Sequence, residues 1–318
     1  MRRGAILAVL ALALAAAGLW LFLSREAAGE EAYVAERRVT VWNRVAQVRE
    51  ALAELTYGDR VRILERKGES ARVRTAAGLD GWVEESQLVA PAEWERAAAL
   101  REQARAIPVQ ARGRTRVTSN VRAAPGRTSP RVFQFRRGAD VEVLARGVAE
   151  WTPGEESGAA PAAEPRAPRK EDWLLVRAAT DEAGEVAGWV LGRFIEYDLP
   201  VELREYAAGM RFVAWFEVSR VAADGWEMPQ FLALGARGAE GQPCDFSLLR
   251  VYTWNSARHR YETAYLESNL CGHLPVRLER DENQTMFHFR ATVRTGEEQR
   301  SYRMSGTMVR RVRTPAGR

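Results

Sequence analysis

The sequence predicts an all-β protein, made of two copies of one small β module and a separate antiparallel β domain, preceded by one apolar helix. The first observation is a repeat: residues 58–64 (GDRVRIL) and 138–144 (GADVEVL) lie 80 positions apart, and each copy closes on Gly-Trp-Val, at 81–83 and 188–190. The second is the apolar–polar alternation of residues 285–291, which is typical of a half-buried strand. The third is an uncharged run at the N-terminus.

The first 30 residues predict a membrane anchor or a signal. Arg2 and Arg3 precede residues 5–23, an uncharged run of 19 residues. A helix rises about 1.5 Å per residue, so this run nearly spans a bilayer core of roughly 30 Å, and it exceeds the roughly 7–15 residues of a secretory signal core. We therefore expect residues 1–30 to form a cytoplasmic head and one transmembrane helix in the cell inner membrane, with the rest of the chain periplasmic. Cleavage near residues 27–29, which would release a secreted protein, is the alternative.

The second copy of the repeat, residues 111–197, resembles a bacterial SH3 (SH3b) domain. It carries Asn-Val-Arg-x-x-Pro-Gly from Asn120, then the segment 138–144, then Trp173 followed by Leu-Leu-Val-Arg, and finally the Gly-Trp-Val triplet. The resemblance rests on four motifs in one order and implies a small SH3-like barrel.

The first copy, residues 31–90, is a shorter and more divergent form of this module. It lacks the Pro-Gly turn, and Ser70 stands where the second copy has Trp173. Residues 91–110 predict a helical linker, because a run rich in Ala, Glu and Arg begins at a proline and ends before Pro108. We therefore predict two small SH3-like barrels in tandem, joined by a helix.

The second copy also carries an insertion, and a further domain follows it. Residues 147–171 include a run of Pro, Ala and Gly that cannot bury enough apolar surface to fold, so they predict a disordered hairpin loop. Residues 198–318 predict a short helix and about seven antiparallel strands, among them residues 261–267, 276–279 and 301–311, in a sandwich or an open barrel. This C-terminal β domain resembles the C-terminal region of uncharacterised SH3-containing envelope proteins, and that resemblance implies no activity.

The chain has two cysteines, Cys244 and Cys271. A hairpin turn at residues 255–260 sets them opposite each other in antiparallel register, where a disulfide can form. An even number of cysteines favours a bond in an extracytoplasmic compartment. We predict a Cys244–Cys271 disulfide, with two buried thiols as the alternative.

Candidate catalytic residues are few. SH3b domains often accompany cell-wall peptidases of the NlpC/P60 type, and the segment that begins at Cys244 superficially resembles their nucleophile segment. A nucleophilic cysteine is expected at a helix start, where the pKa of its thiol falls, but residues 251–253 predict a continuing strand. The three histidines, His259, His273 and His288, lack the spacing of a metal site. We therefore predict no catalytic residue, no metal and no cofactor.

Charge and motif content exclude other classes. The net charge of +5 comes mainly from arginines that are interspersed with Asp and Glu, so no nucleic-acid partner is expected. Neither a phosphate-binding loop nor a Gly-x-Ser-x-Gly nucleophile elbow occurs in the sequence.

These patterns predict a non-catalytic, membrane-anchored envelope protein whose SH3b domains bind cell-wall peptide or a protein partner. The expected ligand groove lies in the second barrel and is built from Phe133, Phe135, Trp173 and Trp189. One alternative is a structural scaffold for an envelope assembly, in which the barrels pack on the C-terminal domain. A weaker alternative is a cell-wall hydrolase. The expected partners are the membrane, peptidoglycan or an envelope protein.

Overall fold

The computed structural model describes residues 29–152, 167–206, 209–223, 225–281 and 284–312. Contacts divide the chain into two compact units, Met1–Trp94 and Glu95–Arg318. The described residues form three seven-stranded antiparallel sheets and two α-helices, so the predicted all-β class is confirmed.

Sheet 1 makes up the first unit. Buried and exposed side chains alternate over part of this sheet, as in residues 60–63, where Val61 and Ile63 are buried and Arg60 and Arg62 are exposed. Its strands are β1 (Glu30–Val34), β2 (Arg38–Trp42), β3 (Ala51–Thr56), β4 (Arg60–Lys67), β5 (Ser70–Arg74), β6 (Asp80–Glu84) and β7 (Leu88–Val89). They lie in the order β3-β2-β6-β5-β4-β1-β7.

Sheet 2 belongs to the second unit and repeats this topology. Its strands are β8 (Ala111–Thr115), β9 (Ser119–Arg122), β10 (Arg131–Phe135), β11 (Asp140–Trp151), β12 (Arg169–Thr180), β13 (Gly184–Leu191) and β14 (Ile195–Tyr197). The order β10-β9-β13-β12-β11-β8-β14 matches that of sheet 1 strand by strand. A 3-10 turn precedes the last strand in both sheets, at Glu85–Gln87 and Gly192–Phe194. The sequence repeat is therefore a repeat of topology.

The prediction of two SH3-like barrels needs correction, because neither sheet closes. The outer strands are β3 and β7 in sheet 1 and β10 and β14 in sheet 2, and no pairing joins them among the described residues. The last strand of sheet 1 has only two residues, and both pair with β1, so β3 keeps a free edge. Each copy is an open antiparallel sheet.

Helix α1 (Pro91–Arg105) begins at the predicted proline. It ends at Arg105, two residues before the predicted end at Ile107. Within the first unit, the Trp94 ring stacks on Tyr33 with a centroid distance of 5.0 Å. Within the second unit, Ala104 is fully buried in a cluster with Leu144, Leu175 and Ala187.

Sheet 3 is a meander in which every strand pairs with the next along the chain. One face carries a large apolar core, which includes Leu232, Phe246 and Phe287. The other face holds a smaller core, in which helix α2 (Val201–Arg204) contributes the fully buried Leu203. The strands are β15 (Arg211–Ala223), β16 (Trp226–Ala236), β17 (Phe246–Asn255), β18 (Arg260–Asp281), β19 (Gln284–Val293), β20 (Gly296–Ser305) and β21 (Met308–Val312).

The predicted loop at residues 147–171 is shorter than expected. Strands β11 and β12 continue to pair from Gly147 opposite Trp173 to Trp151 opposite Arg169. Backbone hydrogen bonds and the stacking of Arg127 on Trp151, 3.8 Å from its ring centroid, hold this extension as strand. The Pro- and Ala-rich residues 153–166 lie outside the described residues.

The predicted transmembrane helix at residues 5–23 also lies outside the described residues. In the part of the chain that the structure describes, no helix combines the length and apolar character that a membrane crossing needs. The described residues therefore do not support the predicted single-pass inner-membrane topology.

Candidate functional site

The four aromatic residues of the predicted groove do not line an open surface. Phe133 and Phe135 are each 1% exposed and pack edge to face, with ring centroids 5.6 Å apart. Trp173 is 2% exposed, and Trp189 is half-buried in the cluster around Ala104. All four belong to sheet 2, but three of them fill its interior and are not available to a ligand.

A buried cluster of charges joins sheet 2 to the segment before β17. Arg146 of β11, whose side chain is 5% exposed, donates from Nη2 to Asp172 Oδ1 at 2.6 Å and from Nη1 to Asp245 Oδ1 at 2.9 Å. It also donates to the carbonyl oxygen of Gln242 at 2.8 Å. Arg211 of β15 completes this set with a 3.1 Å bond to Asp172 Oδ2. We call Arg146, Asp172, Arg211 and Asp245 the Arg146 cluster.

The cluster balances two guanidinium groups against two carboxylates. Burial alone raises the pKa of Asp172, but the hydrogen bonds from Arg146 and from the Gly241 amide outweigh burial and hold that pKa below its usual range. Burial by itself would lower the pKa of Arg146, but the hydrogen bonds to Asp172 and Asp245 more than offset burial, so the pKa of Arg146 lies above its ordinary value. Asp172 and Arg146 therefore stay charged at neutral pH, and each needs its partners.

Gln110 forms a second bridge between sheets 2 and 3. It is 1% exposed, and its side-chain amide forms a two-way pair with the backbone of Val276: Val276 N donates to Oε1 at 2.7 Å, and Nε2 donates to the carbonyl at 3.1 Å. The Gln110 carbonyl accepts from Trp215 N at 3.2 Å, and its own amide donates to Val143 O at 2.8 Å. One side chain thus pairs with backbone 166 residues away.

Beside the Arg146 cluster, Cys244 and Cys271 form a disulfide, with their Cα atoms 4.8 Å apart. These are the only cysteines of the chain, so no free thiol remains. The carbonyl of Cys244 lies 3.4 Å from Arg146 Nη1, and Asp245 Oδ2 accepts from Leu274 N at 2.7 Å. The bond therefore cross-links the segment that carries Asp245 to β18.

The three histidines lie apart. His273 Nε2 is 4.0 Å from Cys271 Sγ and 2.8 Å from Thr292 Oγ1. His288 Nδ1 is 2.8 Å from Ser301 Oγ on the neighbouring strand, and His259 lies in the turn before β18 with φ 47°. Within the described ranges, no group of three or more metal-ligating side chains comes together.

Sheets 1 and 2 carry grooves at equivalent places on their outer faces. The groove on sheet 2 encloses about 650 Å³, and its counterpart on sheet 1 about 320 Å³. Cross-strand charges are inverted between them, because Arg112 faces Glu142 in sheet 2 whereas Glu31 faces Arg62 in sheet 1. The shared topology explains the two grooves, and their opposite charges give no common ligand chemistry.

Sequence reasoning missed both bridges between the sheets. Gln110 ends the predicted helical linker, Arg146 and Asp172 flank the predicted insertion, and no local pattern separates them from solvent-facing neighbours. Their partners in the two bridges lie 26 to 166 residues away, and only the tertiary fold brings them together.

Comparison with known proteins identifies no family. No family model matches the chain, and no curated protein matches it. Similar solved structures are NlpC1 from Trichomonas vaginalis (12% identity, TM-score 0.17, 53% of this chain and 46% of that one), an NlpC/P60 family protein from Bacillus cereus (10%, 0.23, 85% and 93%) and NlpC2 from Trichomonas vaginalis (8%, 0.18, 89% and 97%). The match to NlpC1 thus spans less than half of that protein. TM-scores this low carry no conclusion about fold or activity.

The comparisons do correct the resemblance on which the predicted function rested. The structures found are NlpC/P60 proteins and not SH3b proteins, and no SH3b family model matches either copy of the repeat. The predictions of a non-catalytic SH3b binding module and of a chain without enzymatic activity lose their basis and are withdrawn.

Proposed function

We propose that the second unit, Glu95–Arg318, serves as a rigid structural element of an assembly in an oxidising compartment outside the cytoplasm. The Arg146 cluster is the observation that carries this proposal. Sheets 2 and 3 meet through side chains that are 4–9% exposed at Arg146, Asp172 and Asp245, so shifting one sheet against the other would leave Asp245 without its ion-pair partner while it is still shielded from water. Two sheets held in this way present their outer surfaces in one fixed arrangement.

The Gln110 bridge supports the same proposal. A buried side-chain amide that satisfies both the N–H and the C=O of one residue requires a defined distance and angle between the two backbones. Sliding sheet 3 along sheet 2 by one residue would break both bonds at Val276. The junction therefore specifies one register as well as holding the sheets together.

The disulfide supports the choice of compartment. Structural disulfides persist where the surroundings are oxidising, and cytosolic thiol systems keep most cysteines reduced. Of the partners expected from the sequence, an envelope protein suits a rigid element best. If the cross-linking experiment below attached the chain to peptidoglycan or to lipid instead of to a protein, the partner would be the cell wall or a membrane surface.

The test uses the full chain in its source cells, with a photo-reactive side chain at an exposed position of sheet 3. Trp226 and Met308 are 77% and 55% exposed and suit this purpose. We expect a cross-linked protein of defined mass that disappears in an Arg146→Met variant, while Arg105→Met, which alters an exposed ion pair with Glu185, keeps it. Retention of the same cross-link in Arg146→Met, when hydrogen exchange shows that the sheets open independently, would overturn the proposal.

A cell-wall hydrolase is the second candidate, because the segment that begins at Cys244 resembles the nucleophile segment of NlpC/P60 peptidases. In this chain Cys244 is bonded to Cys271, so hydrolysis through a cysteine requires the bond to be opened. The assay follows the release of peptide from purified cell wall with and without a reductant, beside Cys244→Ser. Turnover that needs the reductant and Cys244 would favour this candidate over the structural role.

A further inference from the structure

We propose that the Cys244–Cys271 bond is a site of reversible thiol–disulfide exchange, assisted by His273. The inference goes beyond the structural role and does not depend on it, because it concerns the chemistry of the bond itself. It stands on three observations: the partial exposure of both cysteines, the histidine beside one sulfur, and the position of the other cysteine next to the Arg146 cluster.

The two sulfurs differ in their surroundings. Cys244 is half-buried and follows two exposed residues, Gln242 and Pro243, in the segment before β17. Cys271 is also half-buried, but it lies within β18 between Leu270, which is 6% exposed, and the buried Gly272. Both cysteines are half-buried, so the assignment of the leaving group rests on His273, which lies beside Cys271 Sγ and favours attack at Cys244.

His273 lies where it can act on that leaving group. Positions 271 and 273 share one face of β18, because side chains alternate along a strand. This places His273 Nε2 4.0 Å from Cys271 Sγ, and the 2.8 Å contact with Thr292 Oγ1 on β19 keeps the ring there. A protonated imidazole at this distance stabilises a thiolate and can supply its proton, and a better-stabilised thiolate leaves faster.

The reaction balances with a dithiol as the co-reactant. One thiolate of the dithiol attacks Cys244 Sγ, the Sγ–Sγ bond breaks, and its electron pair goes to Cys271 Sγ, which takes a proton from His273 Nε2. The second thiol of the dithiol loses its proton to solvent and attacks the first sulfur of the same dithiol, which is bonded to Cys244 Sγ in the mixed disulfide. Cys244 leaves as a thiolate and is protonated by water. The protein bond is reduced and the dithiol is oxidised to a disulfide.

Opening the bond acts directly on the junction of sheets 2 and 3. The carbonyls of Gln242 and Cys244 and the carboxylate of Asp245 all accept from Arg146. In the oxidised chain, this acceptor segment is tied covalently to β18. In the reduced chain, only hydrogen bonds hold it, among them Asp245 N to Gly272 O at 2.9 Å and Leu274 N to Asp245 Oδ2 at 2.7 Å. We therefore expect faster amide exchange in residues 241–245 after reduction.

The experiment measures reduction of the full-length oxidised protein by dithiothreitol under native conditions, with acid quench, alkylation and mass spectrometry. We expect reduction well ahead of global unfolding, and a rate about tenfold lower in His273→Gln because the leaving thiolate loses its charge partner. His259→Asn is the matched control, since it replaces a histidine in a distant turn at φ 47°, where Asn is tolerated, and its rate should equal that of the native chain.

Two results would overturn the proposal. The first is reduction that occurs only at the rate of global unfolding, which would make the bond an inert cross-link. The second is an unchanged rate in His273→Gln. Repeating the reaction in guanidinium chloride gives a control, because the unfolded chain no longer holds residue 273 beside Cys271. Under these conditions the native sequence and His273→Gln should be reduced at equal rates.

Discussion

Replacing Arg146 with methionine tests how strongly sheets 2 and 3 are coupled. Methionine fills much of the arginine volume but carries no charge and no donor, so Asp172 and Asp245 lose the guanidinium that both of them contact. Breaking a buried ion pair by removing one partner costs about 3–5 kcal/mol. Asp172 keeps Arg211 and the Gly241 amide, and Asp245 keeps the Leu274 amide, so we expect the lower end, about 3 kcal/mol.

The assay is thermal unfolding of the full chain, followed by calorimetry at pH 7. For a unit of roughly 150–250 residues, each kcal/mol lowers the midpoint by about 2–4 °C, so the transition of the second unit should fall by about 6–12 °C. The matched control is Arg105→Met, which disrupts an exposed ion pair with Glu185 and should leave the midpoint almost unchanged.

A double variant separates the stranded charge from lost packing. Asp245→Asn in the Arg146→Met background removes the uncompensated carboxylate and keeps an acceptor for the Leu274 amide, so it should regain part of the lost stability. If Arg146→Met lowered the midpoint no more than Arg105→Met does, the cluster would not couple the sheets and our reasoning would be refuted.

Three further predictions concern the same unit. Gln110→Ala leaves the buried N–H and C=O of Val276 without their side-chain partner and should lower the free energy of unfolding by about 2–4 kcal/mol, measured from the urea midpoint; a loss indistinguishable from zero would contradict the bridge. The pKa of Asp172 in the folded chain lies below its ordinary value of 3.8, so its contribution to stability is fully present above pH 3.8 and is lost as the pH falls through the folded pKa. The stability lost below pH 3.8 should therefore be smaller in Asp172→Asn than in the native chain. An equal loss in both would argue against this role of Asp172. Gly272→Ala would place a Cβ 2.2 Å from the Phe246 ring and should cost about 1–3 kcal/mol in chemical unfolding, whereas a neutral result would show that the ring can move aside.

Strand signals in sheet 3 show what local pattern can and cannot predict. Residues 261–267 and 276–279 read as two strands, because Asn, Gly and Pro lie between them, yet β18 runs unbroken over Arg260–Asp281. Asn269 takes a positive φ of 59°, and a register shift follows between His273 and Arg277, so the strand absorbs these residues as irregularities. Conversely, residues 301–311 read as one strand but divide at Gly306, whose φ is +57°.

The prediction of a ligand groove on sheet 2 was wrong because a sequence motif carries no information about burial. The SH3b resemblance predicts a groove that includes Phe133, Phe135 and Trp173, but a motif does not specify which face of an open sheet is covered. The tertiary structure buries them, since apolar rings are more stable away from water and sheet 2 has an interior to fill.

The sequence by itself determined the all-β class, the two-fold repeat, the helix after the first copy and the antiparallel hairpin that leads to Cys244 and Cys271. These features depend on alternation, turn residues and proline positions, which act within a few residues along the chain. Only the tertiary structure decided that the repeats are open sheets, and that Arg146, Asp172 and Asp245 meet between sheets 2 and 3. Burial of a charge is favourable only when its partners arrive together, and those partners come from segments that local pattern cannot connect.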